Sequence, residues 1–70
     1  ASQELGQLIS QFLREQPESA RKIFIRRYWY MDSIHDISAN MNISESKVKS
    51  MLFRSRGKLR DYLEKEGITL

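Results

Sequence analysis

Cysteine is absent from the 70-residue chain. Disulfides and thiolate metal sites are therefore excluded, in keeping with a reducing cytosol. No apolar run approaches the roughly 20 residues that cross a bilayer, and no signal peptide is legible at the N-terminus. The expectation is a soluble, cytoplasmic protein. There is one proline and there are three glycines, with no repeat, low-complexity tract or Gly/Ser linker. Acids are missing between Ser46 and Arg60, where Lys47, Lys49, Arg54, Arg56, Lys58 and Arg60 supply all the charge. With 40% hydrophobic and 30% charged residues the composition is globular, not disordered. Residues 1–70 form one small domain, which buries only about 60% of the surface its unfolded form exposes and has little stability to spare.

The net charge of +3 says less than its distribution. A second, weaker basic cluster is Arg21, Lys22, Arg26 and Arg27, while acids gather at Asp61, Glu64 and Glu66. Local concentration of this kind suits a phosphate backbone; on charge alone, a merely solvated helix face fits equally well.

Hydrophobic spacing predicts an all-α, four-helix domain with a helix-turn-helix and a long C-terminal recognition helix. Leu5, Leu8, Ile9, Phe12 and Leu13 form one apolar stripe on a first helix of about residues 3 to 15. Pro17 suits the first turn of a second helix, because its missing N–H would be unpaired there anyway. That helix is expected to run to about Tyr30, with Ala20, Ile23, Phe24 and Met31 on one buried side. Ile25 and Trp29 point the other way and are expected to pack on the first helix. Ser33 followed by Asp36 resembles a capping box and opens a third helix ending near Met41.

The fourth helix is expected from Ser44 to about Glu66, stopped by Gly67. Ser44 caps it, and Glu45 stands favourably at its positive end. Ile37, Met41, Ile43, Val48 and Met51 fall where two short helices crossing steeply must bury side chains against each other. Ser38 is small where the helices approach. Asn42 occupies the turn, where a residue able to adopt positive φ is wanted. Val48, Leu52, Ser55, Leu59, Tyr62 and Leu63 form the inner stripe of the last helix, with Ser46, Ser50, Phe53 and Gly57 opposite. Gly57 weakens a helix by about 1 kcal/mol relative to alanine. The core is expected to include Leu8, Phe12, Phe24, Ile37, Ile43, Val48, Leu52 and Leu59.

The outer face of this last helix, Ser46 included, is the surface that a major groove about 12 Å wide receives. Lys49, Ser50 and Arg54 are the candidates for base edges, since arginine and lysine donate to guanine O6 and N7 and serine adapts to several bases. Lys47, Arg56, Lys58 and Arg60 are assigned to phosphates or plain solvation. Phe53 is placed to touch a thymine methyl or a sugar, or else to pack on a neighbour. Arg27 has either a phosphate or an ion pair with Asp36 as its partner. His35, the sole histidine, lies beside Asp36. Adjacent helical residues point about 100° apart and no nucleophile or metal-ligand cluster accompanies the pair, so no enzyme, cofactor or metal is expected.

Phe24-Ile25-Arg26-Arg27-Tyr28-Trp29, Ser33-Ile34-His35-Asp36-Ile37-Ser38 and the run from Ile43 to Arg60 together resemble a family. The chain resembles the C-terminal region 4 of bacterial RNA polymerase sigma factors, of the sigma-70-like extracytoplasmic-function group, over about residues 16 to 66. The Val-Lys-Ser…Arg-x-Arg-x-x-Leu-Arg run carries most of the specificity. Departures are Ser38 for the usual alanine, Ser46 and Lys47 for Gly-Thr, Met51 for a frequent arginine and Gly57 for a frequent basic residue; they bear on base preference more than on fold. The resemblance implies recognition of the −35 promoter element while bound to the flap of the polymerase β subunit, with an anti-sigma factor as an alternative partner. It also implies a fragment of a longer chain that carries region 2.

Two other readings fit the residues. A response-regulator DNA-binding output domain has a similar four-helix build, with a packing or dimer helix after the recognition helix. A protein-interaction module would use the basic helix on an acidic partner and never touch DNA. Tyr28, Trp29 and Tyr30 are consecutive, so a helix spreads them over about 200° and at least one stays exposed on a monomer unless a partner covers it.

Overall fold

The computed structural model describes residues 2–68; Ala1, Thr69 and Leu70, the ends of the expected domain, lie outside the described residues. Four helices follow one another: α1 (Ser2–Arg14), α2 (Glu18–Tyr28), α3 (Ile34–Met41) and α4 (Glu45–Lys65). No strand occurs among the described residues. α4 is the spine. It packs against each of the other three helices, and its 21 residues span about 31 Å at 1.5 Å per residue, most of the molecule's 36 Å long axis.

Local chemistry sets each boundary of the helix-turn-helix. Ser33 Oγ accepts from the Asp36 amide at 3.0 Å and Ser44 Oγ from the Lys47 amide at 3.1 Å, so both helices of the motif start on side-chain caps. Asn42, at φ 57°, turns the chain out of α3 in the left-handed conformation. The Ile43 amide then closes back on the Ser38 carbonyl at 3.1 Å, a Schellman closure. α4 ends the same way, with Gly67 at φ 85° and the Ile68 amide on the Leu63 carbonyl at 2.9 Å. The expected caps, turn and stop are all present.

Ile37 and Val48 are fully buried at the α3–α4 crossing, with Ile23 and Leu52 completing the cluster and Ile34, Met41, Ile43 and Met51 packed around it. Phe12, Phe24 and Leu63 are also buried, and Phe12 meets Tyr62 with ring centroids 5.6 Å apart. Of the expected core, Leu8, Ile43 and Leu59 are only half-buried. Leu8 and Leu59 belong to α1 and the C-terminal half of α4, and Ile43 sits in the open turn. Ile23 and Leu63 are more deeply buried than any of these three.

α2 departs from expectation at both ends. Pro17 is its N-cap, one residue outside the helix, and the helix stops at Tyr28, not Tyr30. The Tyr30 amide binds the Ile25 carbonyl at 3.2 Å and the Asp32 amide the Arg26 carbonyl at 2.9 Å, widening the last turn while Met31 takes φ 61°. That reversal carries Met31 out of the core, where helical projection puts it, and leaves it 77% exposed. Trp29, expected against α1, keeps a right-handed helical backbone and the 2.9 Å bond to the Ile25 carbonyl, yet is 79% exposed at the end of α2; Ile25 is half-buried.

A methionine in the left-handed region is sterically strained, at a cost of about 1–2 kcal/mol. Met31→Gly is expected to raise stability by up to about 1 kcal/mol after the extra unfolded-state entropy of glycine, which corresponds to a melting point higher by about 4–8 °C. Leu52→Ala removes a side chain from the central cluster and is expected to cost roughly 2–5 kcal/mol. Circular-dichroism melts of both variants test these values, and an unchanged Leu52→Ala melt would mean that the inner face of α4 is wrongly assigned.

Candidate nucleic-acid interface

α4 divides its circumference between the core and solvent. Val48, Leu52, Ser55 and Leu63 are buried on one side, whereas Ser46, Lys47, Lys49, Ser50, Phe53, Arg54, Arg56, Lys58 and Arg60 are all exposed. Lys49, Ser50, Phe53, Arg54 and Arg56 line one shallow groove on the outer face. Arg54 also borders a second depression, where Lys58 faces Gln16, Pro17, Ser19 and Ala20 at the α1–α2 junction. The structure thus brings five of the expected contact residues onto one strip. Lys47 and Ser46 stand exposed on the first turns of the same helix.

Among the described residues none of Lys47, Lys49, Arg54, Arg56, Lys58 and Arg60 is in an ion pair; the cations that are paired are Lys22 with Glu18 and Arg26 with Asp32. The charge of the α4 cations is therefore not neutralised internally. Phe53 is 72% exposed in the middle of these cations and packs on no neighbour that would hide it. An exposed ring flanked by amide- and phosphate-seeking donors is chemically suited to a groove with both apolar methyl edges and phosphate walls.

Arg27 is not brought into the α4 groove. Its Nη1 donates to the Asp32 carbonyl at 3.0 Å, not to Asp36, while Arg26 pairs with the Asp32 carboxylate at 3.4 Å. Both arginines fasten the α2–α3 turn, because the early end of α2 folds Asp32 back over them. His35 Nδ1 lies 3.2 Å from Glu45 Oε2, tying the first turn of α3 to the first turn of α4 across the motif. In the basic cluster of α2, a 2.9 Å bond from Lys22 holds the exposed Glu18 carboxyl below its usual range.

Sequence reasoning missed one contact on this face: Arg56 Nη1 donates to the Tyr28 hydroxyl at 2.6 Å, joining α4 to the last turn of α2. The two residues are 28 apart, and nothing in the local pattern of either helix signals the pairing.

A separate apolar groove of about 560 Å³ runs between α1 and α2, lined by Ile9, Leu13, Phe24, Ile25, Trp29 and Tyr30 among others. Tyr28, Trp29 and Tyr30 are all exposed at its rim, at 41%, 79% and 67%.

The family model described as sigma-70, region 4 matches residues 6–59, a span that holds α2, α3, the apolar groove and most of the basic face. No curated protein and no solved structure matches the chain.

Proposed function

Because the chain belongs to the sigma-70 region 4 family, whose members bind the −35 promoter element for RNA polymerase, we propose that the outer face of α4 is the surface laid on that DNA. The observation that supports the placement is the unneutralised strip of Lys49, Ser50, Phe53, Arg54 and Arg56 on a single helix. A helix fits the major groove only along one face, and here that face carries donors in place of acids. Lys49, Ser50 and Arg54 read base edges in this arrangement, and Phe53 meets a thymine methyl or a sugar. Lys47, Arg56, Lys58 and Arg60 hold phosphates, with Ser46 beside them. Arg27 braces the α2–α3 turn, and any phosphate contact it makes is through the part of its guanidinium left by Asp32. The function requires no catalysis and no cofactor.

The apolar groove between α1 and α2, with the three aromatic side chains at its rim, is the surface we assign to the polymerase β flap. Aromatic side chains left near a surface are enriched at protein interfaces, and this groove leaves the basic strip free. An anti-sigma factor is the alternative occupant. The extracytoplasmic-function subgroup, a monomeric state, a cytoplasmic location and a longer parent chain complete the reading. No helix among the described residues is long and apolar enough to cross a membrane.

Binding to promoter duplex is expected to fall steeply as salt rises. Arg54→Ala and Lys49→Ala are expected to reduce discrimination between promoter and scrambled DNA by about 1–3 kcal/mol, whereas Lys58→Ala weakens both duplexes alike. Fluorescence anisotropy across a salt series measures this. A promoter-to-scrambled ratio untouched by the first two substitutions would refute the base-reading assignment.

A flap-tip peptide titrated into labelled domain is expected to shift amides of α1, α2 and the start of α3. Shifts confined to Lys47 through Arg60, or none at saturating peptide, would sink the placement of the polymerase site.

A further inference from the structure

We propose that Tyr28 is a positioning residue of the DNA face: its hydroxyl holds the Arg56 guanidinium at the edge of the basic groove, set for a phosphate. The inference rests on the reading of α4 as the DNA-contacting helix and adds to it a residue from α2 that is not itself basic. Arg56 Nη1 donates to the Tyr28 hydroxyl at 2.6 Å, and the same guanidinium belongs to the groove formed with Lys49, Ser50, Phe53 and Arg54. The acceptor is itself held in place. The Tyr28 ring packs on the buried Phe24 ring with centroids 4.8 Å apart, and it lines the groove between α1 and α2.

The chemistry of the acceptor is what makes the contact functional. Arg26 gives its guanidinium to the Asp32 carboxylate, and an arginine so paired has its charge answered inside the molecule. A phenol is a neutral acceptor, so Arg56 keeps its full charge. It also keeps four of its five N–H donors for another partner. A long, flexible side chain on an exposed helix ordinarily loses rotamer freedom when it grips a phosphate. Tethering to a packed ring removes part of that loss before DNA arrives.

Tyr28→Phe deletes the acceptor and keeps the ring on Phe24, so the fold is expected to survive; a thermal melt verifies this and sets a temperature at which every variant is folded. Affinity for a labelled random-sequence duplex is read across a salt series in four proteins: the unaltered chain, Tyr28→Phe, Arg56→Ala and the double variant. A random sequence suffices because a phosphate contact carries no sequence information. Tyr28→Phe is expected to weaken binding about two- to tenfold. Arg56→Ala is expected to weaken it and to flatten the log–log salt slope by about 0.9. In the Arg56→Ala background Tyr28→Phe is expected to change nothing further. Lys58→Ala in the same assay separates the two layers of inference, because a phosphate-holding cation acts on any duplex. If Lys58→Ala weakens binding but Tyr28→Phe leaves it unchanged, strengthens it, or weakens it equally with and without Arg56, the positioning role is overturned and the DNA face stands. If none of the substitutions on α4 affects binding, the DNA face and the role of Tyr28 fall together.

Discussion

Ile37 and Val48 lose all solvent contact where α3 crosses α4, and nearly everything else in the molecule follows from keeping them there. The crossing requires α3 to end and the chain to reverse within a few residues. Asn42 makes the reversal in the left-handed region, and Ser44 then caps α4 at once. Burial and turn chemistry reinforce each other. Water is kept from Ile37 and Val48 only if the turn holds, and the capped turn holds because Ile43 and Met41 pack back on the same cluster. The direction in which α4 leaves the motif, and hence which side of it faces solvent, is fixed by this one contact.

α4 serves the core and the surface along the same 21 residues. One side is committed to Val48, Leu52, Ser55 and Leu63. The remaining circumference is free of packing duty and carries the cations. A helix that packs on three others holds its backbone, and so the starting points of its outer side chains, in a fixed pattern. Gly57 runs against this design at first sight, since glycine loosens a helix interior. A Cβ built there meets nothing within 4 Å, so no neighbour within the domain accounts for the glycine.

What was legible in the sequence was what short-range chemistry decides. Ser33, Asn42, Ser44 and Gly67 each act through groups within a few residues, and each sits where its own chemistry requires. The apolar period of α4 likewise separates inner from outer face without tertiary knowledge. The failures share a different origin. Nothing about Met31 marks it for positive φ, so α2 reads as two residues longer than it is, and Met31 is drawn into a core it never reaches. Of the two partners open to Arg27 in the sequence, a phosphate or Asp36, the ion pair with Asp36 does not form; the turn brings the Asp32 carbonyl back to it. The bond between Tyr28 and Arg56 spans 28 residues and depends on how α2 and α4 lie together, which no periodicity encodes. The exposed basic strip on α4 was therefore readable residue by residue, whereas the way Tyr28 of α2 bonds to it was not.

The strip is also small, and its size constrains how the domain can work. Each phosphate neutralised contributes through counterion release, so a helix offering only a few phosphate-binding cations has a modest affinity at physiological ionic strength, and that affinity falls further as salt rises. On the proposed placement, base contacts by Lys49, Ser50 and Arg54 would add discrimination of about 1–3 kcal/mol for each well-made pair, which sorts sequences but does not by itself make a tight complex. Attachment to RNA polymerase changes the arithmetic. A domain tethered beside the DNA meets its element at an effective concentration in the millimolar range for a short linker, so modest intrinsic affinity is sufficient for occupancy. Weak contacts with real discrimination are then preferable to strong ones without it, since a tethered domain that gripped any duplex tightly would lose the ability to reject the wrong sequence. The proposed polymerase surface is thus consistent with the chemistry on α4. The apolar groove between α1 and α2, bordered by Tyr28, Trp29 and Tyr30, is where the described residues offer one without covering the cations.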